Sequence, residues 1–277
     1  MIGLMQGRLT TPLSNKIQEF PWANWENEFL QLNRLGIKLL EWTLDHERLD
    51  ENPLMTLSGQ RRIRELMQIS KVRIDSVTLD CFVEAPLHRK NPLNNLQSPI
   101  AVFERVIENS SKVGAMIGVL PLVAESGEEN RDSLELLFSL LDEIRAHCFK
   151  YDFKIALECE FKLPILNWIA SQIEELPHIG FNFDIGNSAS LDNDPLEELA
   201  IYGDKLFNVH IKDRLLGGKT VPLGTGNVDF ESVSYGLGKL NYNGNMILQS
   251  ARGEVGQEFQ VISDYIDFCR TIGWNVA

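Results

Sequence analysis

Residues 154–184 read KIALECEFKLPILNWIASQIEELPHIGFNFD, and this stretch decides the fold. Lys154–Cys159 is a short apolar run, the length of a buried strand. Leu163–Glu175 carries the wider apolar spacing of a helix, and Ile179–Asp184 returns to strand. Strand, helix and strand in that order make a parallel pair joined by a helical crossover. The same alternation continues on both sides. Upstream, it predicts strands at Ile2–Met5, Ile37–Trp42, Val72–Leu79 and Met116–Leu122, with helices at Trp25–Leu35, Leu54–Ile69, Pro99–Val113 and Asn130–Tyr151. Downstream, it predicts strands at Leu206–Ile211 and Asn245–Gln249, with helices at Pro195–Tyr202, Phe230–Leu240 and Gln257–Thr271. Eight such units in 277 residues fit a closed (β/α)8 TIM barrel of the α/β class, a fold of about 250 residues. No linker or charge run divides the chain, so a single domain over 1–277 is expected. No GxGxxG follows the first strand, which removes the dinucleotide-binding alternative.

Composition narrows the function classes. The formal net charge is −13, which repels nucleic-acid phosphates and argues against a nucleic-acid partner. Four cysteines, Cys81, Cys148, Cys159 and Cys269, stand apart without a CxxC pair, so neither a disulfide framework nor a thiolate metal site is expected. No apolar run reaches the ~18 residues of a membrane span. Met1–Thr10 reads as a first strand and lacks the pattern of a signal peptide. A cytoplasmic protein with no membrane partner is expected.

Active sites of such barrels lie at the carboxyl ends of the strands. Strands five to eight each end in a side chain able to bind metal: Glu158, Asp184, His210 and Gln249. A charge pointing into an apolar strand layer is costly unless it is paired or bound to an ion. Four metal-capable side chains on consecutive strands therefore point to one site. Two carboxylates, an imidazole and an amide oxygen suit Mn, Mg, Co or Zn. Glu160 falls on the same side as Glu158, as a second carboxylate of the site or as a partner for Lys162 or Arg214. Arg8, Lys212, Arg214, Lys219 and Arg252 are either ordinary solvated charges or a set gathered at the barrel mouth around an anion. Of these, Lys212 is expected to point away from the neighbours of His210. Asp213 is expected to orient Arg214 or a loop amide. The turn Gly224-Thr225-Gly226 is either a plain loop or an anion-binding set of amides. Trp42, at a strand end, is a candidate apolar wall of the site, whereas Trp25 reads as core. His88, in the loop after strand three, reads as a surface residue within reach of the site.

Several segments resemble the xylose-isomerase-like TIM barrels, in particular the sugar phosphate isomerase/epimerase group. They are Met5-Gln6-Gly7-Arg8-Leu9, Phe20-Pro21-Trp22 with Trp25-Glu26 and Phe29, Leu40-Glu41-Trp42, Asn182-Phe183-Asp184-Ile185-Gly186-Asn187-Ser188, Asn208-Val209-His210-Ile211-Lys212-Asp213-Arg214, and Pro222-Leu223-Gly224-Thr225-Gly226 with Asp229-Phe230. The resemblance covers essentially the whole chain. It implies an enzyme with a divalent metal bound by Glu158, Asp184 and His210, with Glu158 also the acid/base and Arg214 a substrate contact. It implies a small-molecule sugar or sugar phosphate as substrate. Barrels of this kind often pair, which leaves a homodimer open.

Two positions depart from the family pattern. The strand-eight glutamate, a ligand and second base, is Gln249 here, and a histidine three residues after the aspartate is Asn187. Gln249 still offers a carbonyl oxygen to a metal but accepts no proton at neutral pH. Chemistry next to a carbonyl would then run through one base, Glu158, as in aldose–ketose isomerisation. The expected catalytic residues are Glu158 and Gln249. Arg8, Glu160, Asn187, Arg214, Trp42 and Arg252 are the expected substrate contacts. Competing readings are a dehydratase or lyase on a polyol or keto acid, and a barrel that binds carbohydrate without catalysis. An endonuclease at abasic DNA would need more histidines than the five present.

Overall fold

The computed structural model of the chain describes residues 1–12, 18–84, 86, 98–123 and 131–274, so His88 lies outside the described residues. Eight parallel strands close on one another: β1 (Ile2–Met5), β2 (Leu39–Thr43), β3 (Arg73–Thr78), β4 (Ile117–Leu122), β5 (Lys154–Cys159), β6 (Ile179–Asp184), β7 (Leu206–Ile211) and β8 (Asn245–Leu248). Each pairs with its neighbour in sequence, and β8 closes onto β1 through Ile2–Met246, Gly3–Ile247 and Leu4–Leu248. The alternation of short apolar runs and amphipathic helices has the outcome the sequence predicts, a single (β/α)8 barrel.

Most element ends agree with the sequence reading to within three residues. Two helices differ for local reasons. The second begins at Leu57, because Pro53–Met55 forms a separate 3-10 turn and the Thr56 hydroxyl then caps the helix by accepting the Gly59 amide at 3.1 Å. The long run ending at Tyr151 is two helices, Arg131–Glu143 and Arg145–Tyr151, with Ile144 between them at φ −88°, ψ 3°. No helix among the described residues is long and apolar enough to cross a membrane. All four cysteines are buried free thiols.

The period-two alternation of the strands builds two cores. Outward residues such as Leu40, Trp42, Val77, Phe181, Phe183 and Val209 pack against the helices in one large cluster. Inside the barrel the apolar filling is small: Met5, Leu39 and Ile247, with Met1 packed against them. The rest of the interior is mainly polar, with Glu41, Ser76, Asn208 and His210 at 0% exposure beside Val119 and Ala156. The barrel is thus filled by a side-chain network, not by the branched aliphatic layers usual for this fold.

Trp42 belongs to the outer core, which corrects its expected place at a sugar-facing wall. Glu41 takes the inward position on β2, so its neighbour must face the helices. The Trp42 indole is fully buried, 5.3 Å from the ring of Phe20 and 5.5 Å from that of Trp25, and its Nε1 donates to Asn52 Oδ1 at 2.9 Å. Replacing it by alanine removes a large packed group and leaves the Asn52 oxygen without that donor. Trp42→Ala is expected to cost about 3–5 kcal/mol of stability, read from urea denaturation at 25 °C.

Candidate metal centre

The site stands at the carboxyl ends of β5, β6 and β7. Glu158, Asp184 and His210 are all buried, and one ligand atom from each lies within 4.8 Å of the others. Above them opens a cavity of about 420 Å³, which Glu158 lines together with Arg8, Asp80, Glu160, Asn187, Lys212 and Gln249.

Each of the three side chains is aimed by its surroundings. Asp184 is the last residue of β6 and caps the short helix Ile185–Ser190. Its Oδ1 accepts the amides of Gly186 and Asn187, both at 3.0 Å, which leaves Oδ2 to face Lys212 and the other two side chains. Burial opposes its ionisation, but Lys212 and His210 outweigh burial and hold the carboxyl below its usual range. Glu158 accepts from Asn187 Nδ2 at 3.2 Å on one oxygen and from Asn182 Nδ2 at 3.4 Å on the other. His210 lies across the barrel from Glu41, with Nε2 at 2.7 Å from Glu41 Oε1, while its Nδ1 is 3.1 Å from Glu158 Oε2. Burial lowers the basicity of the ring, but the two carboxylates prevail and raise its pKa to about 10.

Glu41 is the central residue that the sequence reading passed over. Its second oxygen accepts from Ser76 Oγ at 2.6 Å and Asn208 Nδ2 at 3.1 Å, and the same Asn208 nitrogen donates to Asn182 Oδ1 at 2.9 Å. A closed polar circuit therefore joins β2, β3, β5, β6 and β7. The signal was available in the sequence. Asn182 and Asn208 each stand two residues before a candidate ligand, on the same side of the strand.

Lys212 corrects an expectation. Counting by twos from His210 turns it inward. Its Nζ is 2.5 Å from Asp184 Oδ2 and donates to Gln249 Oε1 at 3.0 Å. Gln249 thus reaches the cavity wall but joins Asp184 through this ammonium. Gly186 makes room for the turn: a Cβ there would lie 3.0 Å from Lys212 Cγ. Arg252 is also re-placed. It is absent from the cavity lining, and its Nη1 donates to the carbonyls of Gly7 and Thr10 at 2.7 and 3.0 Å. That loop, with Gly7 at φ +87°, wraps the buried carboxylate of Glu28, which accepts the amides of Gly7 at 2.8 Å and Leu9 at 3.2 Å. Arg252 positions Arg8 by holding its loop.

The remaining candidates reach the cavity. Arg214 Nη1 pairs with Glu160 Oε1 at 2.6 Å and donates to Asn187 Oδ1 at 2.7 Å, so Asn187 links the guanidinium to Glu158. Lys219 lines the cavity as well. Asp213 accepts the amides of Gly224, Gly226 and Val228 at 2.9, 2.8 and 3.2 Å, so two of the amides of the glycine turn are spent on this carboxylate.

A family model described as xylose isomerase-like TIM barrel matches residues 29–272. The chain belongs to this family. No curated protein sequence matches the chain significantly. Among solved structures, the barrel is similar to a 3-keto-D-glucoside 4-epimerase from E. coli, at TM-score 0.70 and 15% identity over 98% of each chain. It is similar to a D-psicose 3-epimerase from Clostridium cellulolyticum, at TM-score 0.71 and 11% identity over 99% of each chain. It is also similar to a xylose isomerase domain protein from Planctomyces limnophilus, at TM-score 0.68 and 20% identity over 88% of this chain and 90% of that one. At these identities the likeness speaks for the shared barrel alone.

The donor set of this xylose-isomerase-like barrel fits a divalent cation on two counts. Asp184 Oδ2 and His210 Nδ1 are sealed from solvent and lie with Glu158 around one point, and their close contacts are the ion pairs with Lys212 and Glu158, not hydrogen bonds of good geometry. Glu41, Glu158 and Asp184 bring three carboxylates and Lys212 one ammonium, so with a neutral imidazole the cluster lacks two positive charges. Without a cation, the imidazole itself makes up part of this deficit by keeping its proton. A raised histidine pKa contributes stability that is complete below the unfolded value of about 6.5 and is lost as pH rises through the folded value. In metal-free protein the thermal unfolding midpoint is therefore expected to fall between pH 6.5 and about 10. His210→Asn should flatten that slope, as read by calorimetry across the range.

Proposed function

We propose that the chain is a metal-dependent isomerase or epimerase of a sugar or sugar phosphate, acting by proton transfer next to a carbonyl. The observation that carries this reading is the meeting of Glu158, Asp184 and His210 within 4.8 Å beneath a cavity lined mostly by charged and amide residues. Glu158, Asp184 and His210 would hold the ion, with the Gln249 amide oxygen beside them. When bound, a divalent ion supplies Lewis acidity toward the oxygens flanking the reacting carbon.

The other roles belong to the chain's own groups. Glu158 takes the proton from that carbon, and the amides of Asn182 and Asn187 hold its two oxygens in place. Glu41 fixes the His210 tautomer: with Nε2–H donated to the carboxylate, the lone pair is on Nδ1. Arg8, Lys219 and Arg214 bring cationic groups to the same cavity, which suits hydroxyls or a phosphate. Gln249 accepts no proton, so it orients Lys212 and substrate.

Two measurements test this. Wild-type protein, incubated with a panel of ketoses and their phosphates in deuterated water, is expected to wash deuterium into the carbon beside the carbonyl of one of them. Glu158→Gln should lower that exchange by about 10²–10⁴-fold, and chelation should abolish it. No exchange with any ketose would remove the reading. Separately, Glu41→Gln should weaken metal binding about 10–100-fold in a competition titration with a chromophoric chelator, because the imidazole loses its orienting carboxylate.

A further inference from the structure

The geometry points to Asp80 as a second proton-transfer group of this cavity, reaching the substrate from the β3 side while Glu158 reaches it from β5. The inference rests on the proton-transfer reading above and changes its consequence: two acid–base groups allow inversion at a carbon, which one base and Gln249 do not.

Asp80 stands two residues beyond the end of β3 and lines the cavity with Glu158, Arg8 and Asp45. Pro121 and Val123, on β4 and just past it, line the cavity between the strands that carry the two carboxyls. Oδ1 of Asp80 accepts the Thr78 hydroxyl at 2.8 Å, which fixes the rotamer. Oδ2 takes no hydrogen bond from the described residues and is not among their sealed-off polar atoms, so it opens to the cavity.

The structural roles such a residue commonly plays are filled by other groups. Asp80 precedes the short helix Cys81–Glu84, yet its side chain accepts none of that helix's amides; the Val83 amide goes to the Asp80 backbone carbonyl at 2.9 Å. Nor does Asp80 form an ion pair among the described residues, although the Arg8 guanidinium feels its charge. Burial, then the negative charges of Asp45, Glu158 and Glu41, push its carboxyl up to about 7. A group with that property is available both as acid and as base near neutrality.

The step balances without a co-reactant. The Glu158 carboxylate takes the proton from the carbon beside the carbonyl, and the C–H electron pair passes into the enediolate. Asp80, as the carboxylic acid, returns a proton to the same carbon from its own side, and the electron pair reforms a C–H bond with inverted configuration. Glu158 then holds a proton, Asp80 is ionised, and the two exchange with solvent before the next turnover.

The test uses the metal-loaded protein and the ketose that exchanges deuterium with it. Proton NMR in deuterated water follows two rates together, exchange at the carbon and formation of the epimer. In Asp80→Asn the ratio of inversion to exchange is expected to drop at least ~100-fold. Asp80→Glu, which keeps a carboxyl, should recover part of it. Metal content and melting temperature are compared for each variant. An unchanged ratio in folded, metal-loaded Asp80→Asn overturns the assignment and leaves the proposed function standing. Absence of exchange in the wild type removes both. Should Asp80→Asn not fold, Asp80→Ser takes its place in the same two-rate measurement: a drop in the ratio is expected, and an unchanged ratio overturns the assignment.

Discussion

The hydrogen bond between Glu41 and His210, 2.7 Å long and sealed from solvent at the centre of the barrel, is the contact on which the remaining site geometry depends. An ionised carboxylate at 0% exposure is tolerated only with full hydrogen bonding and a compensating charge. Ser76, Asn208 and His210 supply both to Glu41. Once that pair is in place, the rest is constrained. The imidazole presents Nδ1 beside Glu158. Asn208 passes the connection to Asn182, which holds Glu158, and Asp184 faces the same point from the next strand. Removing any one member leaves a buried polar group unsatisfied, so the network acts as a unit.

This arrangement replaces the apolar filling that a barrel of this size would otherwise carry. Only Met5, Leu39 and Ile247 make the interior hydrophobic cluster, while the strand-to-helix layer holds nearly all the aliphatic and aromatic core. Stability and chemistry are thereby assigned to different faces of the same strands. On β2, Trp42 anchors the helices and Glu41 the polar interior, one residue apart. On β6, Phe183 packs outward beside Asp184.

The architecture was legible because it rests on periodicity, and four strands have the bounds that their apolar runs predict. Three candidate ligands were legible because strand-end charges in apolar runs need a reason. What escaped the reading depended on facing directions and on long-range partners. Lys212 was assigned outward although it stands two residues from His210. Trp42 was assigned to the cavity although Glu41 had already claimed the inward position. Arg252 and Glu28 meet the loop after β1 across hundreds of positions and tens of positions of chain, and no local pattern announces either contact. The charges that distinguish Asp80 come from β2, the segment after it and β5, far from it in the chain.

The floor beneath the cavity has a consequence for traffic. Glu41, Ser76, Asn208 and His210 show no exposure, and the cluster of Met5, Leu39 and Ile247 fills the adjoining interior. Among the described residues the interior below the site is closed. A molecule held in the cavity would come and go at the carboxyl ends of the strands, never in passage from one end of the barrel to the other.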